Sequence, residues 1–381
     1  MSNEVALETN QGIEQEVAKE SAQEIQPQIK PQKPRKYWID SIRGIAMILV
    51  VVVHASQKIA HWDIYNIFFG GIMLPMFFAV TGYVFSIRDG KQWPFYKGLL
   101  LKLVLPWVLF SFIWAKAFMI PFKGFHPFYT ERLYKFVSGK TLWWFSCCII
   151  AEIIQFYIQK FLKKPMYVCI ADLLLATAGL LLAYYCTPPY YAEDRAMFLN
   201  INNALLAQFY MMIGYLFKRK EDFFGKIKWV WVIILACVYV ALGLLSRLVF
   251  FPGRYPDMNQ NLYPNIPYSM LSITIGVFVV FLIAKKTNLR FKPLVFIGQN
   301  TLLIYAIHYK FIGLMKKFLE WDKVSLSNNW GWALLMSAIS IALCSVCAII
   351  LNKFLPEAVG KRRKKRKKEE QSASVREENA A

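Results

Sequence analysis

Charged side chains are scarce in this chain. They make up 18% of 381 residues, where a soluble domain carries about a quarter. The acidic sign is scarcer, with 24 Asp and Glu against 45 Lys and Arg, and histidine occurs four times. With 57% hydrophobic residues, among them 30 Phe, 20 Tyr and 12 Trp, this excludes a disordered or collagen-like chain and argues against a soluble enzyme. Residues 1–36 lack the apolar core of a signal peptide and are read as a disordered cytoplasmic tail. Cys344 and Cys347 have the spacing of a redox or metal pair, but no second pair follows, so the seven cysteines read as small apolar side chains. No internal repeat is evident, which gives a transporter built of two related halves no support.

What is present instead is a series of long apolar runs. A helix needs about 20 such residues to cross the hydrocarbon core. Ten stretches qualify, at roughly 40–60, 64–87, 97–120, 141–162, 166–186, 199–218, 228–250, 266–285, 294–316 and 329–355. The expected fold is all-α, a polytopic transmembrane bundle of about ten spans. The fourth, sixth and ninth stretches are the most polar, with Glu152, Gln155, Asn202, Asn203, Gln208, Gln299, Asn300 and His308. With the N-terminus in the cytoplasm, the inner segments hold 27 Lys and Arg and the outer segments 9. That asymmetry predicts both termini inside. The run Lys361 to Lys368, eight basic residues, reads as a cytoplasmic topology anchor on anionic lipid rather than a nucleic-acid patch.

Ionisable groups inside a membrane are functional candidates by default. Asp40, Arg43 and His54 share one face of the first span, because eleven residues is close to three helical turns. The rise from Arg43 to His54 is about 16 Å. Arg43 lies at the inner end, where a fixed cation suits a phosphate, and His54 lies deeper, where an imidazole suits general-base work. The bland alternative is that Arg43 snorkels to the headgroups and His54 bonds a neighbouring helix. Lys97 and Lys102 stand at the entry to the third span and fit either anion binding or topology. Pro75 and Thr81-Gly82 suggest a kink and close packing in the second span. His308 falls about as far into the ninth span as His54 does into the first, so the two should share a depth. Two histidines without a third ligand do not make a metal site, and none is expected.

At these residues the chain resembles the membrane-bound acyltransferase-3 family. The resemblance rests on Arg43 and His54 with ten residues between them, Asp40 before the arginine, and Pro75-Met76-Phe77-Phe78 leading to Thr81-Gly82-Tyr83. It continues through Leu142-Trp143-Trp144-Phe145, the stretch from Phe209 to Phe217, and Gly298-Gln299-Asn300 through Tyr305 to His308. It covers about residues 36–355 in order. Two departures are visible: lysines stand where the family tends to have arginines before the third span, and Thr81 replaces a serine.

The resemblance implies transfer of an acyl group, commonly acetyl, from cytoplasmic acyl-CoA to a hydroxyl of a cell-envelope glycan or lipid-linked sugar. It implies a multi-pass protein of a bacterial plasma membrane, with acyl-CoA, the sugar acceptor and the bilayer as partners and no nucleic acid. The expected domains are a tail at 1–36, the membrane domain at 37–355 and a basic tail at 356–381. His54 is expected as general base or acyl carrier together with Arg43, and Arg43, Lys97 and Lys102 as donor-binding cations. Glu152, Gln155, Trp143, Trp144, Tyr305 and His308 are expected around the acceptor. The alternative from another class is a transporter or flippase for polysaccharide or a small solute, with the same polar helices as its pathway.

Overall fold

The computed structural model describes residues 35–57, 62–87, 91–115, 127–185, 197–318 and 329–361. Most of the N-terminal tail, the outer end of the third span, Cys186 and the basic residues after Lys361 lie outside the described residues. Among those described, every regular element is helical, and β pairing is limited to an isolated bridge between Asp257 and Leu262.

Lipid offers the backbone no hydrogen bonds, so a spanning segment must satisfy its own. This keeps α1 (Tyr37–Ala55) helical through Val50-Val51-Val52-Val53, a β-branched run that forms helix poorly in water. Asp40 in its first turn and His54 in its last match the helix dipole. There follow α2 (Asp63–Val84) and α3 (Gln92–Trp114), then α4 (Pro127–Val137), α5 (Trp143–Phe161) and α6 (Pro165–Tyr185). Next come α7 (Ile201–Arg219), the short α8 (Glu221–Lys226) and α9 (Trp229–Phe250). The last four are α10 (Ile266–Lys286), α11 (Lys292–Gln299), α12 (Thr301–Phe318) and α13 (Trp330–Phe354).

Among the described residues seven helices, namely α1, α2, α3, α6, α9, α10 and α13, are long and apolar enough to cross a membrane. The other three expected spans correspond to α5, α7 and the α11–α12 pair. They miss that standard on composition, since polar residues lower their hydropathy and α12 carries three lysines, and the polar side chains are accommodated by burial: Gln155, Asn202, Asn203, Gln208, Asn300 and His308 are all buried. Helices α1 and α2 form the centre, 72% and 67% buried, whereas α9 is only 17% buried and exposes Val230, Ile233 and Val240 on its outer face. An apolar surface of that extent belongs against lipid. This is a multi-pass membrane protein.

One expectation needs correction. The ninth stretch is not one helix, because the chain leaves helical geometry at Asn300, with φ −121° and ψ 16°. The Asn300 amide donates to the Phe296 carbonyl at 2.8 Å and its oxygen accepts from Asn352 at 2.8 Å, so side-chain bonds compete with the helix ladder there. The outer segment 121–140 contains α4. The helix ladder also widens to a π turn at Asn66–Gly70, Leu100–Val104 and Ser246–Phe250. Such turns recur at functional sites, and the second carries Lys102.

Close packing holds α1 in place. A Cβ on Gly298 of α11 would collide with the Asp40 carbonyl, and one on Gly44 of α1 with the Leu294 carbonyl. Gly82 of α2 likewise faces the Met211 carbonyl of α7, so the Thr81-Gly82 step is a helix contact. Gly298→Ala is expected to lower stability by roughly 1–3 kcal/mol, the usual cost of overpacking. Gly313→Ala, where a Cβ meets nothing within 4 Å, is the control. Melting curves in detergent that leave the two variants equal would contradict this packing.

Candidate active site

The face of α1 that carries Arg43, Met47 and His54 looks onto α2, α5 and α12, and the site runs along it. Its outer end is a histidine pair. His54 closes the last turn of α1, and its ring centroid lies 5.2 Å from that of His308 on α12. The two imidazoles expected at one depth are in ring contact. His308 Nδ1 stands 2.9 Å from the Ile304 carbonyl and 3.0 Å from the Tyr305 carbonyl. Carbonyl oxygens only accept, so Nδ1 carries the proton and Nε2 keeps its lone pair. That Nε2 is buried and makes no hydrogen bond. His54 is partly exposed, with Nδ1 3.4 Å from the Gln57 amide nitrogen and the Tyr309 ring edge-on at 5.3 Å. A molecule approaching past the C-terminal end of α1 therefore meets His54 before His308.

The middle of the site is a narrow apolar crevice lined by Met47, Leu74, Phe77, Trp144, Thr301 and Tyr305. Helix α5 enters it through Leu142, whose φ of +52° is left-handed. The amide of Trp144, one of the donors a helix start leaves unpaired, bonds the Tyr305 hydroxyl at 3.3 Å. This fixes α5 to α12 and puts the Trp144 ring 5.4 Å from both Phe77 and Tyr305. The indole Nε1 of Trp144 is buried without a partner. Trp143 lies outside the crevice wall.

At the inner end Asp40 is the hub. One of its oxygens lies 3.8 Å from Arg43 and the other accepts from Gln299 at 3.2 Å. Glu152 lies within electrostatic reach of both Lys102 and Arg43. The sequence groups Glu152 with the aromatic residues of the acceptor end, but it lies two turns further along α5, at the cationic end. Gln155 faces Asp172 of α6 instead of the crevice. Lys102 reaches the cluster from its π turn, while Lys97 is exposed one turn earlier.

Sequence reasoning missed Lys361. Its ammonium donates to Asn300 at 2.7 Å, so the first residue of the basic run reaches the break between α11 and α12. A row of eight basic residues reads as one solvated block, and nothing in its pattern marks the first as different. Among the described residues no group of three or more His, Cys, Asp or Glu is placed to hold a metal ion.

Residues 36–349 match the family model described as an acyltransferase domain of the acyltransferase-3 type. The chain belongs to the acyltransferase-3 family. It is a membrane acyltransferase. The match starts just before α1 and extends into α13, so it takes in every helix that lines the site. No curated protein matches the chain in sequence.

Proposed function

We propose that this acyltransferase takes an acyl group, acetyl in the simplest case, from cytoplasmic acyl-CoA. It passes the group to a hydroxyl of a cell-envelope glycan or lipid-linked sugar at the outer face of a bacterial plasma membrane. One observation carries the reading: Arg43 and His54 lie on one stripe of α1, the first in a cationic cluster and the second in a histidine pair, with an apolar crevice between them. The polyphosphate end of coenzyme A is matched by Arg43 and Lys102, with Lys361 beside them. An extended pantetheine arm spans on the order of 15 Å by covalent geometry. The Arg43-to-His54 rise is about 16 Å, and the arm is largely apolar, as the crevice is.

The chemistry then needs one base. His54 takes the proton of the acceptor hydroxyl as its oxygen attacks the thioester carbonyl. The C–S bond breaks, and the departing thiolate takes that proton from the imidazolium. The products are an ester and free coenzyme A, with His54 neutral again. A transient acyl group on His54 is the covalent variant of the same geometry. His308 is the positioning residue, because its open Nε2 can accept from the His54 ring. Trp144 and Tyr305 form the aromatic wall, and Glu152 contributes at the donor end.

The deciding experiment is incubation of purified protein with labelled acetyl-CoA, scoring hydrolysis and transfer. Absence of both, together with absence of coenzyme A binding, would sink the reading. The orientation is tested separately. A reporter fused after Lys368 is expected to be accessible from the cytoplasm, and one accessible only from outside would reverse the site.

A further inference from the structure

We infer that the acceptor is an anionic saccharide, with a carboxylate or phosphate near the hydroxyl that is acylated. The inference rests on the transfer reading above and concerns its outer half.

The first observation is where outer cations occur. Outer segments of a membrane protein are normally poor in Lys and Arg. Of the nine in the outer segments, four lie in 121–140 and three in 316–328, the segments whose described parts include α4 and the end of α12. With their acidic residues counted, these segments carry net charges of +3 and +1. The other two segments, 187–198 and 251–265, carry −1 and 0. Topology alone gives no reason for a positive excess on this side, nor for its concentration in two of the four segments.

The second observation is how the cations are mounted. Lys316 donates to the His54 carbonyl at 3.2 Å, which puts an ammonium on the end of α1. The Lys310 ammonium stands 4.1 Å from the centroid of the Trp114 ring. Arg132 of α4 donates to the Trp114 carbonyl at 3.2 Å. The Trp114 indole is fixed by a 2.8 Å bond to the Ala306 carbonyl, and its ring lies 6.0 Å from Tyr309. Tyr309 in turn meets His54. A wall of two aromatic rings with three cations along it therefore leads to the proposed base. Aromatic faces accept the apolar face of a sugar ring, and clustered Lys and Arg recognise carboxylate or phosphate. On α4 the carboxylate of Glu131 pairs with Lys135 at 2.6 Å and also lies within electrostatic reach of Arg132.

The test uses the full-length protein in nanodiscs of neutral lipid, with coenzyme A binding as the check on folding. Three oligosaccharides of matched length are compared as acceptors and as ligands: neutral, uronate-bearing and phosphate-bearing. An anionic saccharide is expected to bind at least about tenfold tighter than the neutral one, the scale of one charge-assisted contact. Raising salt from about 50 to about 500 mM should erase that preference by screening. The preference should also collapse in Lys316→Gln and, independently, in Arg132→Gln. Whichever anionic saccharide wins identifies the charged group.

Equal binding of all three, or binding of none, overturns the inference. So does a loss in either variant that falls alike on neutral and anionic saccharides. If the variants change only how activity depends on added anionic phospholipid, the cations are headgroup anchors and the inference fails. Failure of the wild type to bind coenzyme A would instead count against the transfer reading.

Discussion

His54→Ala is expected to lower acyl transfer at least about a hundredfold, since general acid–base catalysis is typically worth 10²–10⁴-fold. Coenzyme A affinity should change little, because the phosphates sit about 16 Å away by helix rise. His54→Gln separates chemistry from packing. Glutamine keeps a hydrogen-bonding side chain of similar reach but takes no proton near neutral pH. It should restore folding and leave activity low. The ring contact with His308 makes the matching substitution informative. A base can work from a less favourable orientation, so His308→Gln should retain more activity than His54→Gln and show an altered pH profile of kcat. A fully active His54→Gln enzyme would remove His54 from the mechanism. His308, with its open Nε2, would then be the base.

The second large effect is expected at the opposite end of the same helix. Arg43→Ala should weaken coenzyme A binding by roughly ten- to a hundredfold, from the loss of a charge-assisted contact worth about 1.5–3 kcal/mol. Arg43→Lys should keep part of the affinity, as a point charge without the guanidinium fork. Asp40 is the internal control. It faces both Arg43 and Gln299, so Asp40→Asn keeps the shape and removes the charge that holds the guanidinium. Calorimetric titration with coenzyme A reads all three. Unchanged affinity in a well-folded Arg43→Ala protein would refute the donor role.

Much of this arrangement was legible beforehand, for definable reasons. Periodicity places Arg43 and His54 on one stripe because both belong to a single unbroken helix. Counting residues into two helices that run the same way puts His308 at the depth of His54. Burial of Gln155, Asn202, Asn203 and Gln208 follows from the cost of polar groups in lipid. What was not legible depends on packing between elements. Glu152 is placed at the cationic end by the distance along α5 from Trp144, and tertiary bonds such as those from the Trp144 amide to Tyr305 and from Gln208 to the Ala151 carbonyl fix that register. The break at Asn300 depends on partners 52 and 61 residues away. Lys361 stands apart from its seven basic neighbours only through that same contact. The division between Trp144, which lines the crevice, and Trp143, which does not, turns on the entry angle of α5 at Leu142.

The glycine contacts between α1 and α11 have a further meaning. Gly44 and Gly298 bring the two backbones together within two helical turns of Arg43. Helix α1 therefore cannot slide along its axis without dragging α11, and a helix does not stretch. The gap between the inner cation and the outer imidazole is then a gauge of fixed length. For a donor anchored by its phosphates, that gauge selects on the length of the arm before it senses the acyl group. A donor trimmed to acyl-pantetheine loses its anchor, and one with a lengthened arm carries its carbonyl past His54. In the proposed pose the acyl group lies at the open end of the gauge, so tolerance toward its size is expected to be set by the residues around His54, which are separate from those that measure the arm.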